Sequence, residues 1–271
     1  MTNSRRALIA STVATACIAC GLLTAMPAGS AEQATSASLI PSSIARSDEL
    51  AAFDAGTESS PICNQARLGT AKQIVEQYLS IRVTQLGILS TRISNSKSMP
   101  TADASTLDTI ITNERTGIAD GGITGLQLMV SNATTCLQAI SDAEAMVVDF
   151  RVYALVSPQV DLTAVASAES AIDSQATTYE PKIQQAITTA GQRGKNVGGA
   201  QGAYSNLVTE VSDSATEVGD VSISTLLAQV PSDYPADAST LVGYHEDLVA
   251  AGADLRSAYE DFQTIVSDLT S

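Results

Sequence analysis

Tryptophan is absent from this 271-residue chain, histidine occurs once, and aromatic residues make up only 4% of it. A thick globular core is usually filled by large flat side chains, so their scarcity argues against one and leaves Ala, Val, Ile and Leu to do the packing. That composition suits helices pressed closely side by side. Basic residues are few as well: 14 Lys and Arg face 29 Asp and Glu, a formal net charge of −15. Such a polyanion repels nucleic acid phosphates and anionic lipid, which argues against both as partners. The imbalance grows towards the end, where 12 acidic groups from residue 200 onward are opposed by Arg256 alone. The plain reading is a solvated, solubilising surface; the sharper one is loose binding of divalent or polycationic species.

Reaction chemistry is equally sparse. His245, within Tyr244-His245-Glu246-Asp247, is the one residue on which a Ser-His-Asp relay could be built, and no Gly-x-Ser-x-Gly elbow accompanies it. One histidine and few thiols do not make the usual zinc sets. Neither Asp213-Ser-Ala-Thr-Glu217 nor Asp142-Ala-Glu144 has the ligand alternation and glycine of a calcium loop. The glycine-rich stretch from Gly194 to Gly202 lacks a preceding strand and a phosphate-loop lysine, so it reads as a helix connection. No catalytic, cofactor-binding or metal-ligating residue is therefore expected.

What is present begins with an export signal. Arg5 and Arg6 form a basic head, Ala7 to Met26 is weakly apolar, and Gly29-Ser30-Ala31 supplies small residues for cleavage, so residues 1–31 read as a signal peptide. Removing those two arginines leaves 12 basic against 29 acidic groups, a net charge of −17. Two alternatives stay open: Val13 to Cys17 loosely fits a lipoprotein site with Cys17 lipidated, and the apolar run is long enough for an uncleaved anchor. No later segment approaches a membrane span. Residues 32–61, rich in Ser, Ala, Thr and acids, read as a flexible linker.

From residue 62 onward the pattern is helical. Leu68, Ile74, Val75, Tyr78, Leu79, Leu86, Leu89 and Ile93 recur at three and four, with Glu76 and Arg82 among the polar positions. Ser94 to Pro100 then supplies turn residues. The hexapeptide Ala-Asp-Ala-Ser-Thr-Leu follows at Ala102 to Leu107 and returns at Ala236 to Leu241, each time after a proline. Asp103 and Asp237 are placed to cap a new helix, so each copy predicts the start of a hairpin's return arm. The strongest signal is the second return arm, where Leu241, Tyr244, Leu248, Ala251, Leu255, Ala258, Phe262, Ile265 and Leu269 alternate without a break. Its predicted partner carries Tyr204, Leu207, Val211, Val218 and Val221. Between the hairpins, Val165, Ile172, Tyr179, Ile183 and Ile187 give an apolar face that Pro181 should kink or restart.

Cys63 and Cys136 are the two cysteines beyond the signal, an even pair in a chain read as exported. Their midpoint falls at Met99-Pro100, where the turn is placed on other grounds, so two straight arms would bring both thiols to the open end and predict a disulfide. One stretch gathers aromatics and an arginine, Asp149 to Leu162. There Pro158 should end one helix and Asp161 cap the next, while Arg151 and Tyr153 either line a small groove or pack a corner between hairpins.

The Arg151-Val-Tyr-Ala-Leu-Val-Ser-Pro158 corner and the Pro231-Ser-Asp-Tyr-Pro-Ala236 turn resemble a family of uncharacterised exported actinobacterial helical proteins. The resemblance spans roughly Cys63 to the C-terminus and implies a secreted, extended helical protein with no known activity. This chain departs from that family in having only Arg256 on a last helix that is elsewhere arginine-rich, and Gln159-Val160-Asp161 where a histidine is common. The expectation is an all-α, elongated antiparallel bundle of about six helices over residues 62–271, with hairpins at 63–136 and 197–270 joined by a central helical corner segment at 137–191. The expected role is a secreted or cell-envelope-associated, non-catalytic helical protein binding a protein or wall component. The alternative is a small-ligand-binding or enzymatic protein using the Arg151/Tyr153 corner.

Overall fold

The computed structural model describes residues 68–116 and 121–271. The signal peptide, the linker, Cys17 and Cys63 lie outside the described residues. Among those described the chain is all-α, without a strand: α1 Leu68–Asn95, α2 Thr101–Thr116, α3 Gly122–Asn132, α4 Cys136–Val148, α5 Ser157–Gln192, α6 Gly198–Asp220, α7 Ile223–Ala228 and α8 Ala238–Thr270. A π-helical turn, Val152–Val156, precedes α5, and a 3-10 turn, Pro231–Asp233, follows α7. Two compact units result, one from residues 68–164 and 222–244 and one from 165–221 and 245–271.

In the first unit α1 packs against α2, α3 and α4. Its buried face is Val75, Leu79, Arg82, Leu86, Leu89 and Ile93, a strict alternation of four and three. These apolar side chains join Leu107 and Ile111 of α2, Ile123, Leu126 and Val130 of α3, and Met146 of α4 in one core. Each fully buried leucine there contributes about 2 kcal/mol of apolar transfer. The expected turn at 94–100 separates α1 from α2. Beyond it the return arm is interrupted: Gly121 takes a left-handed conformation at φ 79°, and a new helix starts at Gly122. Ser90 Oγ donates to Asp108 near the turn, whereas Lys72 Nζ donates to the Ser131 carbonyl farther along. The midpoint of these contacts moves from residue 99 to between 101 and 102, so the pairing with α1 shifts in register from α2 to α3. Cys136 is the first residue of α4, whose preceding Thr135 hydroxyl accepts from Gln138 N.

Three local expectations are corrected. Asp103 is not the cap of α2, which already starts at Thr101; it sits in the first turn, where its charge still favours the positive helix end. Pro158 does not end a helix: the π-helical turn, in which Ser157 N bonds the Val152 carbonyl, passes directly into α5 through Pro158, and Asp161 lies inside that helix. Of the two outcomes expected at Pro181, a kink or a restart, the restart does not occur, since α5 runs through it. Pro181 and Thr177 are both exposed, so the carbonyl that loses its partner is on the solvent side.

The second unit is a three-helix seam. Ile183 and Ile187 of α5, Ala200, Ala203, Leu207 and Val211 of α6, and Ala258, Phe262 and Ile265 of α8 form its core. The predicted alternation along α8 is the buried one, with Leu248, Ala251, Leu255, Ala258, Phe262 and Ile265 all covered. Small residues set the spacing: an added Cβ on Gly199 would lie 2.2 Å from Asp268 Oδ2. The glycine-rich stretch is a connection only in its first half, since Gly198, Gly199 and Gly202 belong to α6. That helix also stops at Asp220, well before the proline turn expected to break it.

Candidate functional site

The corner singled out in the sequence lies within the first unit, and its side chains meet one another. Arg151 has a left-handed backbone at φ 36°, which bends the chain from α4 into the π turn. A side chain rarely adopts that conformation, which costs on the order of 1–2 kcal/mol and persists only where surrounding contacts hold it. Those contacts are present: Arg151 Nε donates to the Pro231 carbonyl at 3.0 Å, and the guanidinium lies 4.6 Å from the Tyr234 ring centre. The two motifs that carry the family resemblance are therefore partners across 80 residues.

Tyr153 is half-buried on the same turn, with Arg82 of α1 stacked 5.2 Å from its ring centre. Arg82 was expected on a polar face and is instead 3% exposed, because it falls in the buried alternation between Leu79 and Leu86. Its Nη1 donates to the Tyr78 carbonyl at 3.3 Å, while Nε is sealed without a partner. Burial holds its pKa below the usual arginine range, against the opposing influence of Tyr153 and Tyr78. On α5, Gln159 is fully buried and donates through Nε2 to the carbonyls of Leu226 and Gln229, at 2.8 and 2.9 Å. It thereby ties α5 to the end of α7, where the Leu226 carbonyl also accepts from Gln229 N at 3.4 Å. Arg92 of α1 pairs with Asp161 of α5, whose carboxyl burial pushes up and the arginine pulls back down.

His245 is partly covered on α8, where burial lowers its pKa and Glu246 opposes the shift. Among the described residues no group of three or more His, Cys, Asp or Glu is placed to hold a metal ion, and no helix is long and apolar enough to cross a membrane. A depression of about 410 Å³ on α1 is lined by Thr84, Gly87, Ile88, Thr91, Arg92 and Asn95. A second, about 670 Å³, runs beside Glu180, Pro181, Gln184, Thr188 and Tyr204. Both are open hollows lined mainly by hydroxyl, amide and short apolar groups.

Sequence reasoning missed Arg82 and Gln159 because their polarity placed them outside the core. The seven-residue gap between Val211 and Val218 in the predicted seam of α6 was a usable signal, since Ser214 fills it and is completely buried. Ile74 and Tyr78 were assigned to the packed face and are each 43% exposed; with Ile81 and Ile88 they form a second, outward stripe on α1. No family model, curated protein or solved structure matches this chain.

Proposed function

We propose that this chain is an exported, non-catalytic helical protein that presents helix faces to a protein or cell-wall component at the cell surface. The observation that carries the reading is the way the corner is used: Arg151 and Tyr153, the candidates for a ligand groove, are engaged with Pro231, Tyr234 and Arg82 of the same unit. A side chain already held by its own fold is poorly placed to engage a ligand, and the Arg151 Nε and guanidinium and the Tyr153 ring are held in this way. The outward stripe of Ile74, Tyr78, Ile81 and Ile88 adds support, since apolar residues aligned along one exposed helix face mark interaction surfaces. Export rests on the basic head, apolar run and small-residue cleavage site of residues 1–31.

The test is sedimentation of the purified protein with isolated cell walls and its retention by immobilised envelope proteins. Ile81→Glu/Ile88→Glu should abolish capture while leaving the helical circular dichroism spectrum unchanged. Wild-type protein that binds neither fraction, or capture that is unaffected by the double variant, overturns the reading.

A further inference from the structure

The second unit holds 13 acidic side chains against Lys182, Arg193, Lys195 and Arg256. Some of those acids point inward. Glu169 and Asp173, four residues apart on α5, share a face with each other, as do Ser214 and Glu217, three apart on α6. Asp173 is 6% exposed and Ser214 is fully buried. Glu169 Oε2, both carboxyl oxygens of Asp173, Ser214 Oγ and Glu217 Oε2 are shut off from solvent without a formed hydrogen bond. The Ser214 hydroxyl lies towards Asp173 yet outside bonding geometry. On the third side, α8 presents Gly252, where an added Cβ would lie 3.1 Å from Glu169 Oε1. Glycine leaves the slot that the carboxyl fills.

A sealed carboxylate at Asp173 and covered oxygens on Glu169 and Glu217 with no cation among them are costly, and the cheapest ligand that removes the charge and supplies a donor is a proton. We propose that Glu169, Asp173, Ser214 and Glu217 form a proton-binding switch: the folded three-helix seam holds protons on these carboxyls, and their loss on alkalinisation loosens α5 from α6 and α8. Burial first, then Asp173 and Glu217, pushes the Glu169 carboxyl up to about 8. Burial pushes Asp173 up to about 6 against the pull of Ser214. Glu217 is raised by burial and by Asp254, Asp247, Asp213 and Asp220, so the charges reaching it from α6 and α8 are acids. Carboxyls raised above their unfolded values stabilise the fold fully below the unfolded pKa, and that stability is lost as pH rises through about 6 for Asp173 and about 8 for Glu169.

The experiment is thermal unfolding of the full chain between about pH 5 and about pH 9. Wild type is compared with Glu169→Gln/Asp173→Asn and with a control, Glu246→Gln/Glu260→Gln, which removes the same charge from exposed positions. Wild type and control should melt at least about 5 °C lower at the alkaline end, and the cluster variant should lose more than half of that difference. A cluster variant that tracks the control overturns the proposal. So does restoration of the alkaline melting temperature by calcium, which would make the cluster a cation site instead. Should the variant fail to fold, carbon-13 titration of wild-type Glu169 decides: a midpoint above about 7 supports proton binding, and one near about 4.5 sinks it.

Discussion

Replacing Gly252 by alanine tests whether the Glu169 carboxyl occupies the slot on α8. In a helix interior alanine is better than glycine by about 1 kcal/mol, because glycine loses more backbone freedom on folding. At Gly87 of α1 an added Cβ meets nothing within 4 Å, so Gly87→Ala should realise that whole gain. At Gly252 the same atom lands 3.1 Å from Glu169 Oε1, closer than an ordinary contact, and the carboxyl must retreat by a few tenths of an ångström. Its retreat is opposed by Asp173 and Glu217, which already crowd it. The gain should therefore be cancelled to within about 0.5 kcal/mol in wild type and restored to about 1 kcal/mol in a Glu169→Ala background. Urea denaturation followed by far-ultraviolet circular dichroism measures all four corners of this cycle, with equal slopes confirming that only stability changed. If Gly252→Ala stabilises as much as Gly87→Ala whether or not Glu169 is present, the carboxyl is not in the slot.

Leu86→Ala, which empties a fully buried position among α1, α2 and α3, should cost about 2–5 kcal/mol in urea, whereas Ile88→Ala on the exposed stripe should stay within about 0.5 kcal/mol. Arg151→Gly and Arg151→Ala both lose the Pro231 bond and the Tyr234 stack, but glycine relieves the left-handed backbone, so the alanine variant should be less stable by about 1 kcal/mol. Equal losses would show that backbone strain is not stored there. Mass spectrometry of the unreduced secreted protein should find a peptide linking Cys63 to Cys136; alkylation of both without reductant would remove the bridge.

Much of the helix layout was legible in the residues. The turn chemistry of Ser94 to Pro100 separates α1 from α2, Gly191 to Gly194 closes α5, and the nine-residue alternation from Leu241 to Leu269 is α8. These signals act within a few residues and survive whatever the rest of the chain does. At Pro181 the sequence left a kink and a restart both open, because a proline's effect depends on whether the freed carbonyl meets solvent, and that is settled by which face of α5 is covered. On α1 two stripes of three-four spacing overlap, and periodicity alone does not choose between Leu79-Arg82-Leu86 and Tyr78-Ile81-Ile88. Of the candidate site, Arg151 and Tyr153 were visible as residues out of keeping with an aliphatic chain. Their partners Arg82, Pro231 and Tyr234 lie too far away in sequence to be inferred.

By itself the sequence determined an all-helical chain, the places where most helices start and stop, and the aliphatic alternation that binds them, because each follows from local sterics, backbone capping and the helical repeat. Tertiary structure alone decided which face of α1 is covered, that Gln159 closes the end of α7, and that Asp173 is sealed, with one carboxyl oxygen each of Glu169 and Glu217 and the Ser214 hydroxyl covered. The physical reason is that desolvation belongs to neither side chain nor segment: it arises only when helices distant in the chain come together and remove the water between them.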